Sequence, residues 1–247
     1  MFRGIDSRAV VYFVVIALAF YFLTRISSGG LAGVLGNFLY LAIALLIAID
    51  VHEFGHAFVA DRLGDSTARL QGRVTLNPIK HLDPFGTLML IMTFLGGIGI
   101  GWGKPVQVNP SRVANGRNGM AIIAVAGVIA NLLTAVAAAL LLRLGIFSGV
   151  HLPYLDLPRL IATIAYINVL LAVFNFLVPL PPLDGFNFLV NVLPLRWSWQ
   201  LRQIERFGPI ILLLLVLGSQ MHILLFNPLQ YLVGAPSLWL SHALGVA

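Results

Sequence analysis

Cysteine is absent from this chain, which removes disulfides, thiolate metal ligands and a thiol nucleophile together. Charge is nearly as scarce. Only 10% of the 247 residues are Asp, Glu, Lys or Arg, and glutamate occurs just twice, as Glu53 and Glu205. No polar stretch is long enough to fold as a separate soluble domain, and there is no internal repeat or low-complexity linker. A chain this poor in charge, 59% hydrophobic and with mean hydropathy +0.95, falls outside the ordinary soluble class. Its pI of 10.2 raises nucleic acid as a partner. The basic residues are scattered and form no run, so no nucleic acid is expected, and arginines anchoring loops at a membrane surface account for the charge.

What the chain does have is long apolar runs. Residues 10–23, 38–60, 120–142, 160–180 and 207–226 each read as a membrane span. The first is flanked by Arg3, Arg8 and Arg25 and lacks a following A-x-A site, so a retained span is expected rather than a signal peptide. Residues 85–102 are uncharged, but Gly96, Gly97, Gly99, Gly101 and Gly103 break their end. If that segment enters and leaves on one side, as a re-entrant segment, twelve of the fifteen basic residues share that side, which the positive-inside rule makes cytoplasmic. The tail, 228–247, is apolar and interrupted by Gly234 and Pro236, which suggests a half-span or an interfacial segment. The expected fold is an all-α polytopic membrane protein with about five to six transmembrane helices and a re-entrant segment. It forms a single membrane-embedded domain over 1–247, within which the core expected to carry any chemistry, about 38–193, is the part covered by the resemblance given below. The expected location is the lipid bilayer of the inner cell membrane.

Inside the second run lies His52-Glu53-Phe54-Gly55-His56. On a helix the two histidines are one turn apart, so both imidazoles project from one face about 6 Å apart along the axis. That spacing lets them hold one zinc ion from two sides. Glu53 lies about 100° round the helix, where it can handle a proton on metal-bound water. Three ionisable groups in five residues at membrane depth are expensive unless a function needs them.

A catalytic zinc takes three protein ligands and one open position. The candidates for the third are Asp50, Asp184, His81, His151, His222 and His242. Asp50 points about 200° away from His52 on a helix. His151 and His222 belong to the outer side of the expected topology, and His242 lies in the tail. His81 sits in a polar inner loop, and its depth leaves it open as a ligand. Asp184 fits best. It follows Pro179-Leu180-Pro181-Pro182-Leu183 at the inner end of a span, where prolines break the helix and Gly185 relieves crowding. Residues 69–76, rich in Val and Thr, read equally as a strand-like run that could offer an edge to an extended segment and as a plain surface loop.

Together these residues resemble the site-2 protease family of intramembrane zinc metalloproteases. The likeness rests on the pentapeptide 52–56 and on Phe174-Asn175-Phe176-Leu177-Val178-Pro179-Leu180-Pro181-Pro182-Leu183-Asp184-Gly185. The stretch from Gly72 through His81-Leu82-Asp83-Pro84-Phe85-Gly86-Thr87 is also similar, as are Gly127 and Asn131 in a Gly-x-x-x-Asn element. The likeness covers roughly 38–193. It implies that His52, His56 and Asp184 bind one zinc ion and that Glu53 is the catalytic acid/base. It implies that Asn175 lies beside the site and helps hold the substrate backbone, and Asn131 is grouped with it as a substrate contact. Neither an inserted peptide-binding domain nor a nucleotide-sensing domain has room, so the chain resembles a minimal form. Asp50 and Phe186 depart from the family pattern. The expected substrate is a transmembrane protein helix cut in the membrane, with the active site nearer the cytoplasmic side.

Rival readings explain less. A membrane metal-ion transporter, or a binding protein without proteolysis, would not need a glutamate directly after the first histidine. A serine protease lacks Gly-x-Ser-x-Gly, and an aspartyl protease pairing Asp50 with Asp184 leaves the histidines unexplained.

Overall fold

The computed structural model describes residues 36, 38–84, 86–88, 103–147, 150, 155–220 and 227–246. The expected span 10–23 and nearly all of the expected re-entrant segment 85–102 lie outside them. Among the described residues the secondary structure is helical and no β-strand forms. Leu82 and Gly103 make an isolated antiparallel bridge.

Three helices are long and apolar enough to cross a membrane: α1 (Phe38–Arg62), α3 (Gly116–Arg143) and α4 (Leu157–Leu177). They correspond to the runs at 38–60, 120–142 and 160–180, so a multi-pass membrane protein follows; the described residues show three such helices of the five to six expected. The α4 start is set by Asp156, whose side chain accepts from the Arg159 amide at 3.1 Å, with a proline in the first turn. It ends where Val178 turns extended ahead of Pro179.

The faces of α3 show why the three helices gather. Ile122, Ile129, Leu133 and Leu140 stand exposed, an outward apolar face suited to lipid. The buried face is small: Ala124, Gly127, Asn131, Ala135 and Ala138. Small residues let helix backbones approach closely, which suits packing where apolar burial supplies no driving force. The ends of the helices are tied. The Ala114 amide donates to Leu63 O at 2.7 Å, joining the end of α1 to the start of α3. The Asp156 amide donates to the Tyr40 hydroxyl at 2.8 Å, joining the starts of α1 and α4 at the other end.

Between α1 and α3 the described residues are mostly turns and coil, with helical residues at 84 and 86–88. A short helix α2 (Thr67–Leu70) is followed by turns and a 3-10 turn at Pro78–Lys80. This corrects the strand-like reading of 69–76. Asp65 accepts bonds from the Thr67 amide and hydroxyl, and the Arg73 amide closes back on Ala68 O at 2.9 Å, so local bonds wind the chain before Val74 and Thr75 can extend it. Residues 103–109 then run extended along α1 and are called the strap here.

After α4 come α5 (Asp184–Val192), α6 (Leu195–Ile204), a 3-10 turn at Glu205–Phe207 and α7 (Gly208–Gln220). In the tail, Gly234 and Pro236 do not break the chain. It stays helical through a π-turn at Gln230–Gly234 into α8 (Ala235–Leu244), and the wider π-turn directly before Pro236 accommodates its ring within the continuing helix.

Candidate metal centre

α1 presents His52 and His56 from one face, as their spacing requires, and α5 brings Asp184 to them as its first residue. The donor atoms form a triangle. His52 Nε2 and His56 Nε2 are 3.1 Å apart. Asp184 Oδ2 lies 3.1 Å from the former, and Oδ1 lies 3.3 Å from the latter. All three residues are buried.

The tautomers follow from the bonds behind the rings. His56 Nδ1 faces Ile123 O at 2.8 Å, an atom that can only accept. His52 Nδ1 faces Asn131 Oδ1 at 2.7 Å. The orientation of Asn131 is fixed, because its Nδ2 donates to Ala48 O at 3.0 Å and to Asn168 Oδ1 at 2.9 Å. Asn168 is oriented in turn by donating to Ile164 O at 2.8 Å. Both histidines therefore carry a proton on Nδ1, and as neutral rings they turn a bare Nε2 towards a carboxylate. Asp184 Oδ2 is buried and receives no hydrogen bond. With neutral rings, lone pairs from both Nε2 atoms and the carboxylate converge, an arrangement that repels itself unless a proton or a metal cation sits among them.

Zinc fits that demand. Ligands about 2.0 Å from a tetrahedral ion stand about 3.3 Å from one another. The observed separations of 3.1, 3.1 and 3.3 Å are of that size, the two to Asp184 ending on different carboxylate oxygens, so the three side chains could hold one such ion between them. An acceptor behind each ring is also the usual support of metal-bound histidine. Space is reserved for the rings. A Cβ on Gly127 would meet His56 Nε2 at 2.5 Å and His52 Cε1 at 2.8 Å, so no side chain is possible there. Gly185 does relieve crowding, since a Cβ on it would fall 2.0 Å from Phe176 O.

Glu53 stands beside the triangle and outside it. Its Oε2 accepts from the Val106 amide of the strap at 2.9 Å. The open alternatives for the third donor now have other places. His81 is buried with Nε2 donating to Thr75 O at 3.0 Å, and the same nitrogen lies 3.6 Å from Asp50 Oδ1. Asp50 thus faces His81 and not the triangle.

Two expected substrate contacts need separate treatment. Asn131 is fully buried behind His52 with both ends of its amide used on protein atoms, so it supports the histidine and is not placed to touch substrate. Asn175 is half-buried near the end of α4 and donates to Leu171 O at 3.0 Å. Sequence reasoning missed Asn168 and the Ile123 carbonyl. The signal for Asn168 was present as an amide inside an apolar span. A backbone carbonyl leaves no signal at all.

The chain is 37% identical over 179 residues to YwhC of Bacillus subtilis (strain 168), whose name marks it as a candidate zinc metalloprotease. That match spans 71% of this chain and 79% of the relative. It is 31% identical over 214 residues to Rip2 of Mycobacterium tuberculosis (strain ATCC 25618 / H37Rv), named in the same way, over 86% of this chain and 79% of the relative. Rip2 of Mycolicibacterium smegmatis is 32% identical over 185 residues, covering 74% and 68%. No family model matches the chain, and neither does any solved structure.

Proposed function

The chain belongs to the site-2 protease family of zinc metalloproteases, and from that membership we propose that it hydrolyses peptide bonds of transmembrane-helix substrates within the bilayer. The observation that carries the reading is the buried cluster of His52 Nε2, His56 Nε2 and the Asp184 carboxylate, with Glu53 next to His52 in the chain.

Zinc held there would supply Lewis acidity, lowering the pKa of a bound water towards about 7 and polarising the scissile carbonyl. The remaining chemistry falls to the chain. His52 and His56 hold the ion through Nε2 while Asn131 and Ile123 O keep the rings from turning. Asp184 closes the ligand set from the first turn of α5. Glu53 has Oε2 occupied by the Val106 amide, which leaves Oε1 to take a proton from water and return it to the departing amine. Asn175 offers an amide donor to the substrate backbone once it gives up its bond to Leu171 O.

The segment 85–102 is read as re-entrant, and the bridge between Leu82 and Gly103 supports this by bringing its two flanks together. With that topology the basic loops share the cytoplasmic side, and the site opens towards it in the inner membrane.

Glu53→Gln tests the proton-carrier role. Cleavage of a single-span test helix should be lost while the protein retains about one zinc per chain. Asp184→Ala should lose both zinc and cleavage. A Glu53→Gln variant that still cleaves near the wild-type rate, or that loses its metal, defeats the assignment.

A further inference from the structure

We propose that Arg73 is a positioning residue for Glu53, acting through the single peptide group that joins Pro105 to Val106. The inference rests on Glu53 as the proton carrier of the reading above.

Arg73 is 4% exposed, and among the described residues no carboxylate pairs with it. Its guanidinium donates to carbonyls instead. Nη1 reaches Pro105 O at 2.5 Å and Lys104 O at 3.4 Å, and Nη2 reaches Lys80 O at 3.4 Å. A buried cation is costly to desolvate, so its placement needs a reason. The Pro105 carbonyl and the Val106 N–H are the two ends of one planar peptide unit. Arg73 grips the oxygen end, and Glu53 Oε2 accepts from the nitrogen end at 2.9 Å.

Two effects follow. A cation donating to the carbonyl draws electron density to that oxygen and makes the N–H at the far end a better donor to the carboxylate. The grip also fixes the direction of the peptide plane, and with it the oxygen of Glu53 that is left to move protons. Arginine suits the task because its planar fork can meet carbonyls on the 78–80 turn and on the strap together. Other bonds hold the strap elsewhere. The Lys104 amide donates to His81 O at 2.8 Å, and the Asn109 amide donates to Asp65 Oδ2 at 2.6 Å. Neither touches the peptide that touches Glu53.

The experiment uses the full chain, zinc-loaded, as wild type, Arg73→Gln, Arg73→Lys and Asp65→Asn. Two quantities are read: hydrogen–deuterium exchange of the Val106 amide, and kcat and KM on a synthetic single-span helix of Leu and Ala with a central Gly-Pro pair. In Arg73→Gln, Val106 exchange should rise about tenfold, as for a lost charge-assisted bond. Its kcat should fall about tenfold or more at near-constant KM and zinc content, the pattern of a misplaced catalytic group. Arg73→Lys should recover part of both. Asp65→Asn should speed exchange at Asn109 while Val106 exchange and kcat stay near wild type.

Unchanged Val106 exchange in Arg73→Gln overturns the proposal. So does an equal fall of kcat in Asp65→Asn. If wild type leaves the test helix intact, the proteolytic reading fails, and the exchange data still decide whether Arg73 holds the Glu53 peptide. Should Arg73→Gln fail to fold, Arg73→Lys decides alone: Val106 exchange and kcat should change together, and a fall in kcat with Val106 exchange at the wild-type rate overturns the proposal.

Discussion

At His52 the deciding atom is the one turned away from Asp184. Nδ1 gives its proton to Asn131 Oδ1, and this leaves Nε2 bare for a metal. Asn131→Ala removes that acceptor from a buried ring. Zinc affinity should fall about 10- to 100-fold, as on losing a bond behind a ligand. Chelator competition measures this, and Asn168→Ala should show the same effect in weaker form. Wild-type zinc affinity in Asn131→Ala would remove the amide from the metal's support. The grouping of His52, His56 and Asp184 was legible because metal binding demands particular side chains at particular spacings, and Glu53 was singled out by its place directly after His52. Their supports were less so. Asn131 was visible as an amide in a span, but depth along a helix does not say which neighbour a side chain faces, and so it was taken for a substrate contact. Arg73 looked like one more loop cation, because its partners are carbonyls that any residue could supply.

Among the elements, the Asn109 end of the strap is tied by Asp65, just beyond the end of α1. Burial alone would raise the Asp65 carboxyl. The bonds from the Thr67 hydroxyl, the Asn109 amide and the Thr67 amide, with the charge of Arg112, outweigh that and hold it below the ordinary carboxylate value. The sign of the pH effect follows. The unfolded chain has the ordinary value, about 3.9, and takes up the proton first as pH falls. Asp65 therefore contributes stability that is complete well above about 4 and is lost as pH falls through the lower folded value. Asp65→Asn should be less stable than wild type at neutral pH, with the gap narrowing on acidification below about 4. Thermal unfolding at several pH values checks this, and a gap that widens in acid contradicts it. The long helices were readable from their apolar runs, with ends within a few residues. α2 was not, because what winds residues 67–70 is a carboxylate bonding two residues ahead, a contact that β-propensity cannot register. The π-turn in the tail escaped for a similar reason. Gly234 and Pro236 look like a break, yet the π-turn just before Pro236 accommodates its ring inside a continuing helix.

Across the whole molecule, the ties at the helix ends set which parts share a side. Leu63 meets Ala114, and Arg117 donates to the carbonyls of Val190 and Leu193, so the polar stretch between α1 and α3, the end of α5 and the start of α6 lie together. Leu144, after α3, lies at the other end. The chain has no cysteine, so single cysteines can report sidedness without background. Gln71→Cys and Gln200→Cys should label with an impermeant thiol reagent from one face only, and Leu144→Cys from the opposite face. Labelling of Gln71→Cys and Gln200→Cys from different faces would refute the shared side.

The hydrogen bonds that run from His52 to Asn131 to Asn168 to Ile164 O also have a mechanical meaning. They cross from α1 to α3 to α4, so the bonds that aim the ring also hold three helices in register. Spreading these helices would release His52 from its orientation and loosen the ion. If the chain takes a transmembrane helix as proposed, that helix reaches Glu53 without parting this trio, because parting it would break the bonds that aim His52.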